Sequence, residues 1–405
     1  MLFKIAWRNL WRNKRRTFIT MASVFFAVLM AIFLRSIQEG VYDQMIDNSV
    51  RYYRGYVQVH QNGYWDEQFI DNTFEDSPEL QQTLENEKEV RVVTPRLESP
   101  MMVSTGSNSR FSLMVGIDPA KEDQITRLKG RIVEGEYLEE GDKAIVVGVG
   151  LAEKMKLALG DTLILLGQGY HGQQSYDQYP IKGMVKFGSP ELNKRMVYLP
   201  VKEAQYLLAS PDRLSAYAMD VSSRRVSGKV VEQLESKLDS GTYEVMDWQE
   251  MDAELLKFIE SDRAGGMVTM FILYILIGFG IFGTALMMIS ERKYEFGVQI
   301  AIGMKKIQLA YILIMEMVFI AVMGVLAGAI VAIPLQYFFH ANPIDLGKDM
   351  AKVYESFNIE AIIPTSTDPS IIIDQAVFVL IMTLLIMIYP ISKLFRIKPI
   401  EAMRG

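Results

Sequence analysis

Four long apolar stretches constrain this chain more than any other feature of its sequence. They cover residues 18–34, 264–290, 307–338 and 371–392, and the first two contain no charged residue. Even the shortest, with 17 residues, is near the length that one helix needs to cross a hydrocarbon core about 30 Å thick. A buried helix of a soluble protein would explain one such stretch but not four. The sequence therefore predicts an α-helical membrane protein with four transmembrane helices.

Basic residues are concentrated in the short segments outside these stretches. Residues 1–16 hold six Lys and Arg and no acidic residue, whereas 291–306 and 393–405 hold four Lys and Arg each. Residues 341–370 hold only two, against five acidic residues. Because short cytoplasmic segments carry the excess of Lys and Arg, we expect both termini and residues 291–306 in the cytoplasm.

The N-terminal segment has the pattern of a basic amphipathic helix. Lys4, Arg8 and Arg12 recur at helical spacing, and Trp7 and Trp11 fall on the other side. Such a helix lies in the membrane interface with its tryptophans at headgroup level. A signal peptide is the alternative, and we reject it because no small-residue cleavage site follows the apolar stretch.

Between the first two stretches lies a polar region with the patterns of a water-soluble α+β domain. Alternating or β-rich runs occur at 55–60, 91–94, 111–117, 144–148 and 162–166, and helical patterns at 78–87, 201–208 and 229–238. Gln168–Gln178 is rich in Gly, Gln and Tyr, which predicts an exposed loop. With about 190 residues, the region is long enough to bury its own core.

Helical periodicity continues past the first stretch and precedes the second, which predicts two stalks that project beyond the membrane. The predicted segments are an interfacial helix (1–17), the first span and stalk (18–54), an extracytoplasmic α+β domain (55–243), the second stalk and span (244–290), a cytoplasmic helix (291–306), the third span (307–338), an external connector (339–370), the fourth span (371–392) and a cytoplasmic tail (393–405).

Several kinds of chemistry are excluded by the residues present. The two Gly-Lys pairs, at Gly228 and Gly347, are followed by Val and Asp rather than by the Ser or Thr of a P-loop. The chain has no cysteine, and its three histidines form no metal-binding or catalytic motif. An ion-coupled carrier would need buried carboxylates near the middle of the membrane. The one clear intramembrane carboxylate, Glu316, lies about ten residues into its span and nearer the cytoplasmic half, which disfavours such a carrier. No catalytic or metal-binding residue is predicted.

The loop between the second and third stretches is longer and more aromatic than a simple turn needs. We expect it to be a helix whose partner-contacting residues are Glu291, Arg292, Glu295, Phe296 and Ile300, with Gly303 placed to end it. A solvated connector is the alternative. In the third stretch, Gly324 and Gly328 form a small-residue face for close helix packing, and Glu316 either hydrogen-bonds to neighbouring helices or takes part in gating.

The same residues carry a resemblance to a known family. Residues 291–303, ERKYEFGVQIAIG, followed by Glu316 and the two glycines, resemble the signature of the FtsX/MacB-type ABC transporter permeases. Residues 399–404, PIEAMR, are similar to the family's P-x-E-A-L-R ending, with Met403 in place of Leu. Residues 145–165 and 179–207 resemble the family's extracytoplasmic domain, the MacB-like periplasmic domain. The opening GYVQVHQNGYW of the soluble domain favours the lipoprotein-releasing permeases LolC and LolE within this family.

This resemblance implies a type VII ABC architecture in a bacterial inner membrane. Two permease chains, identical or paralogous, would associate with a cytoplasmic dimer of separate ATPases that bind ATP and Mg²⁺. The permease itself would hold no cofactor and would not be an enzyme. The segment that matches 291–303 would be the coupling helix seated in the ATPase.

The implied function is the extraction or movement of an amphiphilic substrate, most simply a lipoprotein, at the outer face of the membrane. A periplasmic adaptor or chaperone is a further implied partner, and nucleic acid is not. Apolar contacts with the substrate are expected from the two stalks, at Val41, Met45, Trp248, Met251 and Leu255. Two alternatives stay open: a MacB-like mechanotransmission exporter of peptides or antimicrobials, and an FtsX-like regulator of a cell-wall hydrolase that transports nothing.

Overall fold

The computed structural model describes residues 2–347 and 362–398, which divide into two compact units. Within these residues, the first unit takes 2–43, 259–345 and 362–398, and the second takes 44–258 with 346–347. The division follows the sequence, because the polar region is inserted between the first two apolar stretches.

In its described residues, the first unit is helical apart from one short strand pair. Its helices, two of which continue into the second unit, are α1 (Leu2–Arg12), α2 (Lys14–Ser49), α11 (Ala253–Glu291), α12 (Lys293–Ala301), α13 (Lys306–Ala341), α14 (Pro369–Ile386) and α15 (Ile388–Phe395). Within the part of the chain that the structure describes, four segments are long and apolar enough to cross a membrane, namely α2 with the turn that follows it, α11, α13, and α14 together with α15. The prediction of four membrane helices is confirmed.

These helices are apolar on all sides, as helices surrounded by lipid are. Their inward faces form one core, to which α2, α11, α13 and α14 contribute buried Val, Ile, Leu and Met side chains. Outward residues are equally hydrophobic, and Leu276 and Ile330 are about 70% exposed. Those side chains would be unfavourable in water, so the outer surface of the unit is suited to hydrocarbon.

The second unit is built on a ten-stranded mixed sheet in the order β12-β1-β11-β3-β4-β9-β6-β8-β5, with β7 pairing β3 and β8. Its strands are β1 (Val57–Gln61), β2 (Phe74–Glu75), β3 (Val90–Ser104), β4 (Ser109–Ile117), β5 (Ile132–Gly135), β6 (Ile145–Gly148), β7 (Thr162–Gln168), β8 (Gln174–Val185), β9 (Met196–Pro200), β10 (Arg213–Leu214), β11 (Ala216–Val221) and β12 (Tyr243–Asp247). A separate pair joins β2 to β10, and in the first unit β13 (Ile344–Asp345) pairs with β14 (Ile362–Ile363).

Helices cover both faces of this sheet. They are α3 (Tyr64–Glu67), α4 (Pro78–Glu85), α5 (Pro119–Thr126), α6 (Val149–Met155), α7 (Pro190–Arg195), α8 (Val201–Leu207), α9 (Ser227–Glu235) and α10 (Trp248–Met251). Alternation along the strands divides the buried residues into two cores: Val147 and Val197 belong to one, and Val146 and Tyr198 to the other. The predicted α+β domain is confirmed.

The short helices begin where the sequence supplies a cap followed by proline. Ser77, Asp118 and Ser189 each accept a hydrogen bond from the first turn of α4, α5 and α7, and a proline follows each of them. The cap satisfies an unpaired N–H, and proline at the next position needs no N–H partner there. Asp368 and Pro369 start α14 in the same way.

Two sequence-based boundaries differ from the structure. The predicted stalk from residue 244 begins instead with strand β12, because Tyr243–Asp247 pairs antiparallel with β1, and the long helix α11 starts only at Ala253. Much of Gln168–Gln178 is not a loop, because β8 begins at Gln174 and pairs with β7. The buried hydroxyl of Ser175 donates to the carbonyl of Leu207, which fixes this polar stretch in the sheet.

A π-helical turn, Val50–Arg54, joins α2 to β1. Three consecutive side chains of this turn hold different parts of the second unit. Tyr52 lies 3.7 Å from the guanidinium of Arg131, and Tyr53 donates a 2.5 Å hydrogen bond to Glu98. Arg54 pairs with Asp252 at 3.2 Å, next to the start of α11. The end of α2 is therefore fixed to three separate elements.

Candidate functional site

The short helix α12 lies between two membrane-spanning helices, and the backbone defines both of its ends. Arg292 leaves helical geometry (φ −101°, ψ 11°), which separates α12 from α11. Gly303 has φ 106°, a left-handed conformation that favours glycine, and it turns the chain toward α13. The backbone N–H of Lys305 donates to the side chain of Gln308 at 3.0 Å, which caps the start of α13.

A buried ion pair fixes the start of α12, at its N-cap residue Arg292, to α13. Arg292 is 5% exposed and Glu316 is 1% exposed, and the Nη1 atom of Arg292 lies 2.9 and 2.8 Å from the two carboxylate oxygens. Asn9 of α1 donates to the same carboxylate at 2.6 Å. Although Glu316 lies ten residues into α13, its contact with Arg292 places it level with the junction of α11 and α12. Its charge is compensated there by two hydrogen-bond donors.

A second ion pair joins the N-terminal helix to α12. Arg12 donates to both oxygens of Glu295, at 2.7 and 2.6 Å, and Arg292 donates to Glu295 at 3.2 Å. Partial burial opposes ionisation of Glu295, but the hydrogen bonds and charges of Arg12 and Arg292 outweigh it, so the pKa of Glu295 lies below its usual value. The acidic residues of α12 and α13 thus form one network with α1: Asn9–Glu316–Arg292–Glu295–Arg12.

Phe296 and Ile300, the apolar residues of α12 that were expected to meet a partner, face the bundle instead. Phe296 is 2% exposed and belongs to the core of the first unit, with the guanidinium of Arg292 5.1 Å from its ring centre. Ile300 packs partly against the same core. The large apolar side chains that point outward are Tyr294, 61% exposed, and Ile302, 80% exposed. Glu291 and Gly303 are also exposed.

The two glycines of α13 lie where α2 approaches closely. A Cβ atom added to Gly324 would come within 2.7 Å of Val24, and one added to Gly328 within 3.2 Å of Val28. Gly324 lies eight residues after Glu316, and Gly328 lies four residues further on, so the same helix carries the ion pair and the close contact.

The stalk residues expected to contact substrate fall into two groups. Trp248 and Met251 are buried, 4% and 5% exposed, within the second unit. Val41, Met45 and Leu255 are half-buried and keep part of their apolar surface accessible. The structure therefore does not bring the five residues together as one exposed surface.

Sequence reasoning missed four residues of this region. Asn9 and Arg12 are about 300 positions away from the carboxylates they contact, and nothing in a helical pattern identifies a partner at that separation. Tyr294 and Ile302 lie within the predicted segment, but periodicity gives two faces of a helix without saying which one packs on the bundle. The amide of Asn9 gave no signal either, because Asn13 follows an arginine in the same way.

Two family models together match most of the chain. The model described as MacB-like periplasmic core domain matches residues 17–238, and the model described as FtsX-like permease C-terminal matches residues 267–399. The second match includes α12, Glu316 and the two glycines, and the first includes most of the mixed sheet.

Named relatives are similar over about three quarters of the chain. The lipoprotein-releasing system transmembrane protein LolC of Xylella fastidiosa is 20% identical over 326 residues, 76% of each chain. LolE of Haemophilus influenzae is 19% identical over 340 residues, 80% of each chain. An uncharacterized ABC transporter permease of Methanocaldococcus jannaschii is 22% identical over 298 residues, 71% of this chain and 69% of that one.

Solved structures of isolated domains are also similar. The periplasmic region of MacB from Actinobacillus actinomycetemcomitans has a TM-score of 0.35 at 15% identity, covering 49% of this chain and 91% of that one. The extracellular domain of the noncanonic ABC-type transporter YknZ from Gram-positive bacteria has a TM-score of 0.34 at 15% identity, covering 48% of this chain and 100% of that one.

Proposed function

Since the chain belongs to the FtsX/MacB-type family of ABC transporter permeases, we propose that it couples a separate ATPase to movement of an amphiphilic substrate, with α12 as the element that contacts the ATPase. It is a multi-pass inner-membrane protein. In the proposed orientation both termini and α12 lie in the cytoplasm, on the basis of the Lys and Arg counts.

The observation that carries this proposal is the buried attachment of α12 to the membrane helices. A helix that transmits force between a partner and a bundle must be fixed on its bundle side. The Arg292–Glu316 pair and the buried ring of Phe296 supply such a fixation, while Tyr294 and Ile302 remain on the outside. We therefore assign partner contact to Tyr294 and Ile302, and bundle contact to Arg292, Glu295 and Phe296.

The proposed substrate is a lipoprotein at the outer face of the membrane. The support is the similarity to relatives named as lipoprotein-releasing transmembrane proteins, over 76–80% of the chain. A lipoprotein has apolar acyl chains, for which the accessible parts of Val41, Met45 and Leu255 provide apolar contacts. A second permease chain, identical or paralogous, would supply the opposite side of the binding surface.

Removing the outward side chains of α12 tests the coupling proposal. An aromatic anchor that becomes buried at the centre of an interface often contributes about 2 kcal/mol or more, and Tyr294 is the aromatic candidate here. Tyr294→Ala/Ile302→Ala should therefore abolish copurification of the ATPase and the permease-dependent rise in ATP hydrolysis, without changing the melting temperature of the permease. Tyr206→Ala/Val133→Ala is the matched control, since Tyr206 and Val133 are 70% and 53% exposed on the second unit.

Phe296→Ala distinguishes the two faces of α12. Because Phe296 is buried in the permease itself, its truncation should lower the melting temperature of the purified permease. Full ATPase binding and stimulation by the Tyr294/Ile302 variant would show that α12 is a plain connector. Mass spectrometry of acylated proteins that copurify with the complex tests the substrate separately.

A further inference from the structure

The N-terminal helix α1 presents two adjoining surfaces outside the bundle, one aromatic and one basic. Phe3, Trp7 and Trp11 are 56%, 43% and 40% exposed. Lys4 and Arg8 are also exposed, and among the described residues neither has an ion-pair or hydrogen-bond partner. The remaining side of the helix, with Ala6 and Leu10 buried, packs on the bundle.

The aromatic surface has the position of a membrane-interface belt. The rings of Phe3 and Trp7 meet Phe319 of α13 edge to face, with centroids 4.9 and 5.5 Å apart. Trp11 similarly contacts Phe18 at the start of the first membrane helix, at 6.4 Å. Both partners belong to helices long and apolar enough to cross the membrane. Phe18 lies at the start of the first span, and Phe319 follows Glu316, the partner of Arg292 at the junction of α11 and α12, by three residues. These aromatic side chains therefore lie near the level at which α11 ends, where Trp is favoured.

The basic surface follows directly on the aromatic one around the helix, because consecutive residues are about 100° apart, and it does not lie on the opposite side as the sequence pattern indicated. Residues 1–16 contain six basic residues and no acidic one, so no carboxylate within this segment neutralises their positive charge. Arg12 is the exception in its contacts, because it is already paired with Glu295 of α12. Lys4 and Arg8 are left to face the headgroup region, where an anionic headgroup is the complementary charge.

We propose that Lys4 and Arg8 bind anionic phospholipid headgroups, and that this binding positions α12 through the Arg12–Glu295 and Asn9–Glu316 contacts of the same helix. The lipid lies in the leaflet on the side of α12. Anionic lipid would hold α1 flat against the membrane, and α1 would in turn hold the network that fixes α12. The second step deepens the proposed function and rests on it, whereas lipid binding by α1 does not.

The lipid step is tested on the permease alone, without ATPase. The protein is reconstituted in phosphatidylcholine vesicles containing brominated phosphatidylglycerol, or in phosphatidylglycerol vesicles containing the same amount of brominated phosphatidylcholine. Quenching of Trp7 and Trp11 is obtained by subtracting the signal of a Trp7→Phe/Trp11→Phe variant. Since each basic residue near an anionic surface contributes roughly a fivefold preference, quenching should favour brominated phosphatidylglycerol at least about fivefold.

Charge variants give the decisive comparison. Lys4→Gln/Arg8→Gln should reduce the preference to nearly one, whereas Lys186→Gln/Arg110→Gln, at exposed positions of the second unit, should leave it unchanged. Equal quenching by the two brominated lipids in the unaltered protein would overturn the proposal. A preference that survives in the Lys4/Arg8 variant would also overturn it.

The positioning step uses the permease with its ATPase. Permease-stimulated ATP hydrolysis should rise with the phosphatidylglycerol content, and Arg12→Gln should abolish that rise while retaining the lipid preference in the quenching assay. If Arg12→Gln keeps the lipid dependence of ATP hydrolysis, α1 does not act through Glu295. If no stimulation is seen at any lipid composition, the proposed coupling function fails while the quenching result still decides the lipid site.

Discussion

The buried Arg292–Glu316 pair allows a prediction whose magnitude follows from its burial. Glu316→Leu would leave the guanidinium of Arg292 at 5% exposure with Glu295, at 3.2 Å, as its remaining acidic neighbour. Removing one member of a buried pair typically costs about 3–5 kcal/mol, because the other charge stays desolvated. The amide of Asn9 also loses its acceptor, which adds about 1 kcal/mol.

The double variant Arg292→Met/Glu316→Leu removes both charges and should be much less destabilised than either single variant. A double-mutant cycle isolates the coupling between the two side chains, which we expect to be about 2–4 kcal/mol. The assay is the thermal unfolding midpoint of the purified permease in detergent, where each single variant should fall by roughly 6 °C or more.

The outcome that would refute this reasoning is additivity. If the double variant loses as much stability as the two single variants together, the pair does not hold α12 on α13. A near-zero effect of Glu316→Leu would likewise show that the carboxylate is hydrated. A restored melting midpoint in the double variant, together with lost ATPase stimulation, would instead show that the pair positions α12 more than it stabilises the fold.

Three further predictions follow from single sites. Gly324→Leu should reduce the free energy of unfolding by about 1–3 kcal/mol through overpacking against α2 and so lower the melting midpoint, whereas Gly280→Leu, which has open space around it, should not. Burial lowers the pKa of His60 to about 4, so its neutral form stabilises the fold: this contribution is complete above pH 6.5 and is lost as the pH falls toward 4, by up to about 1.4 kcal/mol per pH unit. His60→Gln should therefore flatten the decline of the melting midpoint below pH 6.5, and an unchanged decline would exclude His60. A single cysteine at Lys293 should resist an impermeant label in intact cells while one at Ser107 reacts, and labelling at Lys293 would reverse the proposed topology.

The membrane helices could be predicted from the sequence because their signal is intrinsic to each segment. Length and apolarity alone identify a span, whatever the rest of the chain does. Strand β8 is different, because its first half, QSYDQ, has neither continuous apolarity nor β-branched residues. It becomes a strand by pairing along β7, a tertiary effect that a local pattern does not contain.

At the candidate site, a local pattern likewise does not predict which face of α12 packs on the bundle. The spacing of Phe296 and Ile300 correctly identifies an apolar row on a helix, but a row of this kind packs equally well on a partner or on its own bundle. The structure assigns it to the bundle because the core of the first unit surrounds it. The partners of Glu316 could not be predicted either, because a local pattern does not identify contacts between residues far apart in the chain. Arg292 is 24 residues away and Asn9 is 307.

The π-helical turn at Val50–Arg54 has a consequence for how the length of this chain can change during evolution. Each residue of an α-helix adds about 100° of rotation and 1.5 Å of rise, so one deletion in the end of α2 would turn Tyr52 and Tyr53 away from Arg131 and Glu98. A π turn holds one residue more than an α-turn, which is how a helix absorbs a single insertion while its flanks keep their contacts. Natural variation in length should therefore accumulate in the exposed turns of the sheet, and the number of residues between the first membrane span and β1 should stay constant.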